Sequence, residues 1–402
     1  MSRRAAGAPG GTASVLLLSV VLRAPVVAPA PVLALAQRDL GVSAAGAALL
    51  VTLPVLCFGL LAAPAGWVVA RLGTRTASLV SLAGIALALV VRVSAGLAGA
   101  VVGTVLLGAA ITIANVVLPV LASAGDRRHG ERLTTRYTVG MNLASLVATL
   151  LTAPLAAVVG WQFAVTAPWL LVCLACVVAT ARSGTVAAGA RSPLAGAPRE
   201  RRPWRHLTPL LLMAAFSGQT LSYYGITAWL PTQLDDLMGL GLVLAGGSAA
   251  VFQLTGALGP LLMAPVLRRG RIATGFAATT ALWVAFPVGM LLAPGAWWLW
   301  ALAAGAAQGA TFTLVLTGVN RWARSPTEAR RTAALVQGGG YAVGACGPVV
   351  LGTVHSASGG WTVPMLVVLV AALGLGAAGM SSTSSRRVDS TDESPVLEPA
   401  RP

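Results

Sequence analysis

Twelve times the chain runs apolar for about twenty residues, the length that crosses a hydrocarbon core of ~30 Å as a helix. Charge lies deep within those runs at only one place, Arg23. This pattern leaves few folds open. Of 402 residues, 56% are hydrophobic and 9% are charged, so a packed interior alone cannot hide the apolar surface from water. Inside a bilayer only helices and closed barrels satisfy every backbone group, and these runs lack the two-residue alternation of barrel strands. The expected fold class is an all-α membrane protein with twelve transmembrane helices. The expected spans lie near residues 14–36, 44–69, 76–95, 97–121, 135–158, 160–181, 207–231, 242–267, 272–293, 297–320, 332–355 and 361–380.

The formal net charge of +16 reports topology. All 27 basic residues are arginine, and 24 of them cluster between spans or at the ends, from Arg3 and Arg4 to Arg386, Arg387 and Arg401. The clusters fall on alternate sides of successive spans, as the excess of positive charge in cytoplasmic loops requires. We therefore expect both termini in the cytoplasm, a location in the cytoplasmic (inner) membrane, the lipid bilayer as a partner, and no nucleic acid. Arg3, Arg4, the stretch Val15 to Leu22 and Ala28-Pro29-Ala30 imitate a signal peptide. The apolar run continues past Arg23 to Ala36, so it reads as the first span.

Composition also divides the chain. Residues 1–13 read as a cytoplasmic N-terminus, 14–181 as a six-helix half, and 182–206 as a cytoplasmic linker rich in Gly, Pro, Ala and Arg. Residues 207–380 form a second six-helix half, and 381–402 read as a disordered cytoplasmic tail. The halves echo each other: Asp39-Leu40 with Gly41 follows the first span, and Asp236-Leu237 with Gly239 follows the seventh. Parallel repeats of this kind place a solute site between the halves near the bilayer midplane. Gly99-x3-Gly103, Gly305-x3-Gly309 and Gly340-x3-Gly344 permit close helix contact.

Chemistry capable of catalysis is missing. Cys173 and Cys176 form a C-x-x-C with no histidine or acid near them on the same segment, and read as packing residues. No nucleophile–base pair or metal cluster is present, so neither enzyme activity, a cofactor nor a metal is expected.

Arg23 is the informative residue. It lies about nine residues into the first span, roughly 14 Å deep at 1.5 Å per residue, too deep to reach the interface easily. Pro25, Pro29 and Pro31 follow it, so the helix should break there. All acidic residues, from Asp39 to Glu398, fall in loops or the tail, so no buried carboxylate is expected to pair with it. Two readings stand: Arg23 recognises a small anionic solute through its planar fork, or it anchors backbone carbonyls and nearby amides. Arg38 and Arg92 are expected near the outer surface, where Arg92 would reach the interface.

Uncharged polar residues recur in helical register. Gln219, Ser222 and Tyr223 share a face, with Tyr224 beside them; Gln308 lies with Gly305 and Phe312; Gln337 and Tyr341 are one turn apart. Asn115, and Thr138, Asn142, Ser145 and Thr149, add similar stripes. Such a lining suits a small polar solute, although each residue singly is as well explained as interhelical glue.

With these residues in view, the sequence resembles the major facilitator superfamily and, within it, the cyanate and nitroimidazole transporter family. The segments that carry this are Leu22-Arg23 with the proline-rich first span, Thr52 to Gly59, Ile113 to Pro119, Ala228-Trp229-Leu230-Pro231 after Tyr223-Tyr224, Gln308-Gly309, and Gln337 with Gly340-Tyr341 and Gly347-Pro348. The resemblance implies a monomeric twelve-helix, two-half transporter that carries small anionic or polar solutes by alternating access. It implies Gly66, Arg71, Gly73 and Arg75 as a gating loop, where Ala70 replaces the usual acid. It also leaves an alternative cargo, neutral or cationic toxic compounds exported from the cell.

Overall fold

Proline and glycine, rather than polar loops, punctuate the apolar runs. The structure is a computed structural model, and it describes residues 9–123, 127–182, 202–256, 258–269, 271–324 and 326–391. Span 1 is built from Pro9–Val27, a 3-10 turn at Ala30–Val32, and Leu33–Asp39, so the break after Pro25 is where the prolines put it. Span 2 comprises Ala44–Leu60 and the first turns of Ala62–Ser94; span 3 is the remainder of that segment. They separate at Gly73, whose φ of 75° only glycine adopts without strain. Span 4 is Gly96–Ser123, span 5 Arg127–Val159, and span 6 Trp161–Ala164 with Ala167–Arg182.

The second half repeats the plan. Span 7 is Leu207–Met238, span 8 Gly241–Gly256 with Gly259–Arg268, span 9 Ile272–Leu292, span 10 Trp297–Trp322, span 11 Pro326–Ser358 and span 12 Thr362–Thr391. Ten stretches among these are long and apolar enough to cross a membrane by length and composition. Ala44–Leu60 is a shorter apolar helix. Span 7 carries Gln219, Thr220, Ser222, Tyr223 and Tyr224, all buried, whose polarity dilutes its hydropathy. Together they make twelve spans.

Several helices run past the expected boundaries: span 5 begins at Arg127, span 7 ends at Met238 and span 11 begins at Pro326. Span 12 does not stop at residue 380 but continues as a helix to Thr391. Ser382, Thr383 and Ser384 each donate a hydroxyl to the carbonyl three residues back, which satisfies these polar side chains within the helix. Residues 392–402 of the expected tail, residues 1–8, and 183–201 of the expected linker lie outside the described residues. Before span 7, Pro203–Arg205 forms a single 3-10 turn.

The internal echo has a structural counterpart. Asp39, at the end of span 1, accepts the indole N–H of Trp161 at the start of span 6, at 3.0 Å. Asp236, at the end of span 7, accepts that of Trp361 at the start of span 12, also at 3.0 Å. Each half is thus tied between its first and last spans on the face away from the linker. One partner differs: Gln162 Nε2 also donates to Asp39, at 2.7 Å, whereas His355 stacks on Trp361 and stands 3.9 Å from Asp236.

The small-residue spacings mark helix contacts, as expected. Gly305 and Gly309 sit against the backbone of span 8, Gly340 and Gly344 against Phe216 and Thr220 of span 7, and Gly99 and Gly103 against span 3.

The halves meet unevenly. Ala44–Leu60 of span 2 runs along span 11, Gly241–Gly256 of span 8 runs along span 5, and Ala30–Val32 of span 1 meets spans 7 and 8. These segments all belong to the far-face part of their spans. Toward the linker, Gly259–Arg268 of span 8 packs within its own half, on spans 9 and 10, and Ala62–Ser94, which carries the linker-face end of span 2 and all of span 3, packs on spans 4 and 6. The halves therefore close on the far face and part toward the linker.

Gly59 marks a close approach of the two halves, near the end of Ala44–Leu60. A Cβ on it would lie 2.8 Å from the Gly338 carbonyl oxygen and 3.2 Å from the Ala342 nitrogen of span 11. Gly59→Leu is expected to force spans 2 and 11 apart and open the far face. In a Cys346→Ser background, spin labels at positions 42 and 240 should then show a longer separation than in the parent. An unchanged distance would mean that this contact does not hold the closed face.

Candidate functional site

Arg23 projects from span 1 just before the break, at the junction of the halves. It is half-buried, and its Nη1 donates to the Tyr224 hydroxyl of span 7 at 3.3 Å. Tyr223 of span 7 and Tyr341 of span 11 stand close enough to interact with it electrostatically. No carboxylate pairs with it among the described residues. The guanidinium has five donors, and one bond to a phenol leaves most of them unspent.

Rings gather around this charge. Seven of the eleven Phe and Tyr residues in the chain belong to two strings of ring contacts that meet at Arg23. One string joins Phe58 of span 2 to Tyr341 at 6.1 Å, Tyr341 to Phe216 at 5.3 Å, and Phe216 to Phe312 of span 10 at 5.8 Å. The other joins Tyr224 to Tyr223 at 4.9 Å, Tyr223 to Phe252 of span 8 at 5.8 Å, and Phe252 to Trp283 at 6.3 Å. These separations are those of stacked and edge-on aromatic pairs. Together the strings form a rigid, flat-walled surround for a permanent positive charge.

The sequence-derived lining divides into two groups. Arg23, Tyr223, Tyr224 and Tyr341 come together. Asn115, Asn142, Gln308 and Gln337 are half-buried and make no side-chain hydrogen bond among the described residues. Gln308 lies beside Gly256 of span 8, whose missing side chain leaves it room. Gln219 is 2% exposed and its Oε1 has no partner in the structure. Ser145 and Thr149 spend their hydroxyls on carbonyls of their own helix, at 3.1 and 2.9 Å, so they do not extend the stripe that Asn142 begins. The side chain of Thr138 lies outside the described residues.

Two residues were missed by sequence reasoning. Gln253 of span 8 bonds the Tyr223 hydroxyl, with its amide nitrogen at 3.3 Å, and holds that ring in place. A mid-span amide was the signal that singled out Gln219 and Gln308, and it applied equally here. Arg92 requires a correction. It does not reach the interface but is 2% exposed, with Nη1 donating to the Pro25 carbonyl at 3.0 Å and Nη2 to the Val165 carbonyl at 2.9 Å.

The cause lies in span 1. Pro29 has no N–H for the carbonyl four residues back, so Pro25 loses its helical donor and Arg92 supplies one. Val165 occupies the matching break between Trp161–Ala164 and Ala167–Arg182. Arg92 thus fastens the breaks of spans 1 and 6 together, and its partner Pro25 is two residues from Arg23 in sequence. Gly103 of span 4 lies against the Arg92 backbone and leaves no room for a side chain.

Among the described acids, one departs from the expectation that no carboxylate is buried. Glu328, at the loop end of span 11, is 5% exposed and accepts the Arg324 backbone N–H at 2.8 Å, so it is a buried loop carboxylate. Cys173 and Cys176 are buried free thiols, and Cys173 Sγ contacts the Leu82 carbonyl at 3.2 Å. No metal-binding cluster occurs among the described residues. In the loop between spans 2 and 3, Arg71 lies 4.3 Å from the Trp67 ring centroid, and Arg75 donates to the Ala181 carbonyl at 3.0 Å. Gly66 is half-buried just before them and Gly73 makes the turn.

Comparison with known proteins agrees with this architecture. The chain is 28% identical over 380 residues to the 2-nitroimidazole transporter of Escherichia coli (strain K12), covering 94% of this chain and 96% of that protein. It is 25% identical over 386 residues to the uncharacterized transporter YycB of Bacillus subtilis (strain 168), covering 93% of each. Among solved structures, a D-xylose–proton symporter superposes with a TM-score of 0.73 over 91% of this chain and 96% of its own, at 14% identity. A bacterial homologue of the lysosomal transporter Spinster, inward-facing and unoccupied, gives 0.70 over 96% and 98%, also at 14% identity. The profile of the Major Facilitator Superfamily matches residues 15–321. A twelve-helix, two-half fold closed on one face, and a sequence that matches that profile over most of its length, make this chain a membrane transport protein of the Major Facilitator Superfamily.

Proposed function

We propose that the chain carries a small planar solute bearing negative charge, such as cyanate or a small organic anion, by alternating access around Arg23. The observation that carries this reading is the guanidinium itself: half-buried between the halves, bonded to one phenol, and without a carboxylate among the described residues. A charge at that depth costs about 2.5–3.5 kcal/mol on insertion scales, and an anionic solute would supply its missing partner. Tyr223, Tyr224 and Tyr341 form the walls. Asn115, Asn142, Gln219, Gln308 and Gln337, with unspent donors and acceptors, line the path toward the linker face.

In this reading the linker face is cytoplasmic, by the arginine distribution, and the protein works as a monomer in the cytoplasmic membrane. Gly66, Arg71, Gly73 and Arg75 serve as its gating loop. The halves rock so that the closure at Gly59 opens as the linker face closes.

A second reading rests on the relative that moves 2-nitroimidazole. A neutral planar heterocycle would stack between the same rings and take a hydrogen bond from Arg23. Proteoliposomes separate the two. Labelled cyanate, a labelled small carboxylate and labelled 2-nitroimidazole are offered in parallel, each with an excess of unlabelled anion. Saturable anion flux supports the first reading. Flux of 2-nitroimidazole alone, untouched by competing anions, would replace it with the second.

A further inference from the structure

A second cavity, of about 420 Å³, lies within the second half and opens at the linker face, apart from the junction that holds Arg23. The ends of spans 7, 9, 10 and 12 surround it. Its floor is apolar, with Leu212, Ile272 and Gly318. Its rim is cationic and hydroxylic, with Arg271, Arg321, Thr208, Thr274, Ser382 and Thr383.

Three features of this rim select an anion. Arg271 is exposed and its side chain has no partner among the described residues, while Arg321 makes a single bond, Nη2 to the Leu267 carbonyl at 3.3 Å. No carboxylate pairs with either among the described residues. The first amides of a helix have no internal acceptors, and Ile272, Ala273 and Thr274 open the 21-residue helix of span 9 on the cavity wall. Trp322 stands at the same level, as tryptophan does where helices leave the bilayer.

The corresponding arginine of the first half is arranged differently. There Arg75, after the loop between spans 2 and 3, donates to the Ala181 carbonyl near the end of span 6. In the second half the loop arginine, Arg271, makes no such bond among the described residues. Ser382 and Thr383 face the cavity instead.

We propose that this cavity binds a phosphate group, with the two guanidinium groups and the first amides of span 9 on its oxygens. Its volume exceeds what inorganic phosphate fills and suits a phosphodiester with its glycerol, so the membrane source is the headgroup of an anionic phospholipid. Inorganic phosphate is the soluble source of the same chemistry.

The test is thermal unfolding of the purified full-length protein in detergent with added phosphatidylglycerol, phosphatidylcholine or inorganic phosphate. Phosphatidylglycerol is expected to raise the melting temperature of the wild type and phosphatidylcholine is not. The double variant Arg271→Gln, Arg321→Gln is expected to lose that shift and to retain phosphatidylglycerol at least about tenfold more weakly in native mass spectrometry. Should the double variant lose stability without ligand, Arg271→Gln alone, at an exposed position, gives the same reading. An arginine-dependent shift with inorganic phosphate also supports the site and assigns it to the soluble source. The proposal is overturned if neither phosphate source protects, if phosphatidylcholine protects equally, or if the variants are protected as well as the wild type.

Discussion

Arg23→Ala abolishes flux of the anionic solute in proteoliposomes while leaving the amount of folded protein in the membrane unchanged. The expected loss is about a hundredfold or more, because a charge-assisted bond to a desolvated anion contributes about 1.5–3 kcal/mol each and a bidentate fork makes two. Arg23→Lys keeps the charge but replaces the planar fork with a point charge on a flexible stem, so it recovers only a small part of the rate. The folded protein tolerates the alanine because the arginine makes one hydrogen bond, to Tyr224 at 3.3 Å, and removing a half-buried charge relieves its desolvation. The measurement is initial uptake of labelled anion, normalised to protein that elutes as a single species. Wild-type rates in Arg23→Ala would end the assignment of this residue to the solute.

Arg92→Met gives the opposite balance, with stability lost first. The substitution keeps much of the volume but strands the carbonyls of Pro25 and Val165, which Arg92 bonds at 3.0 and 2.9 Å. Each unsatisfied buried acceptor costs about 1–3 kcal/mol, and both lie at breaks where no helical N–H can substitute. The expected result is a melting temperature lower by several degrees, because the two stranded acceptors together cost a few kcal/mol. In the protein that remains folded, the solute affinity falls as the broken segment of span 1 shifts Arg23 from its place beside Tyr224. Arg92→Lys reaches one carbonyl and is intermediate in both readouts. If Arg92→Met melts as the wild type does, the two bonds do not hold the breaks together.

These variants separate two kinds of charge in one membrane domain. Arg92 spends both Nη atoms on backbone carbonyls, leaves a buried Nε without a partner, and is closed off from solute. Arg23 keeps most of its donors and stands among rings. Sequence reading distinguished them by depth within the apolar run and assigned Arg92 to the surface, because distance along a helix is measured from the ends of the run. The break that draws Arg92 inward belongs to another helix, 67 residues away at Pro25 and 73 residues away at Val165. Gln253 shows a smaller failure of the same kind. Its mid-span position was visible, but its bond to Tyr223 joins two spans whose contact no local pattern encodes.

By itself the sequence determined the twelve helices, the two halves and their repeat, the break after Pro25, and the presence of a deep charge at Arg23. Hydrophobicity sums over neighbouring residues and proline acts within one helical turn, so these properties are local and legible. The repeat of Asp39 and Asp236 was readable as letters, but the tryptophans that bind them stand more than a hundred residues away. Only the tertiary structure decided which rings surround Arg23, which carbonyls Arg92 closes, which face the halves seal, and where the second half keeps a basic cavity. Helical register says which side chains share a face. It does not say which helix that face will meet, and that choice depends on close packing between segments distant in the chain.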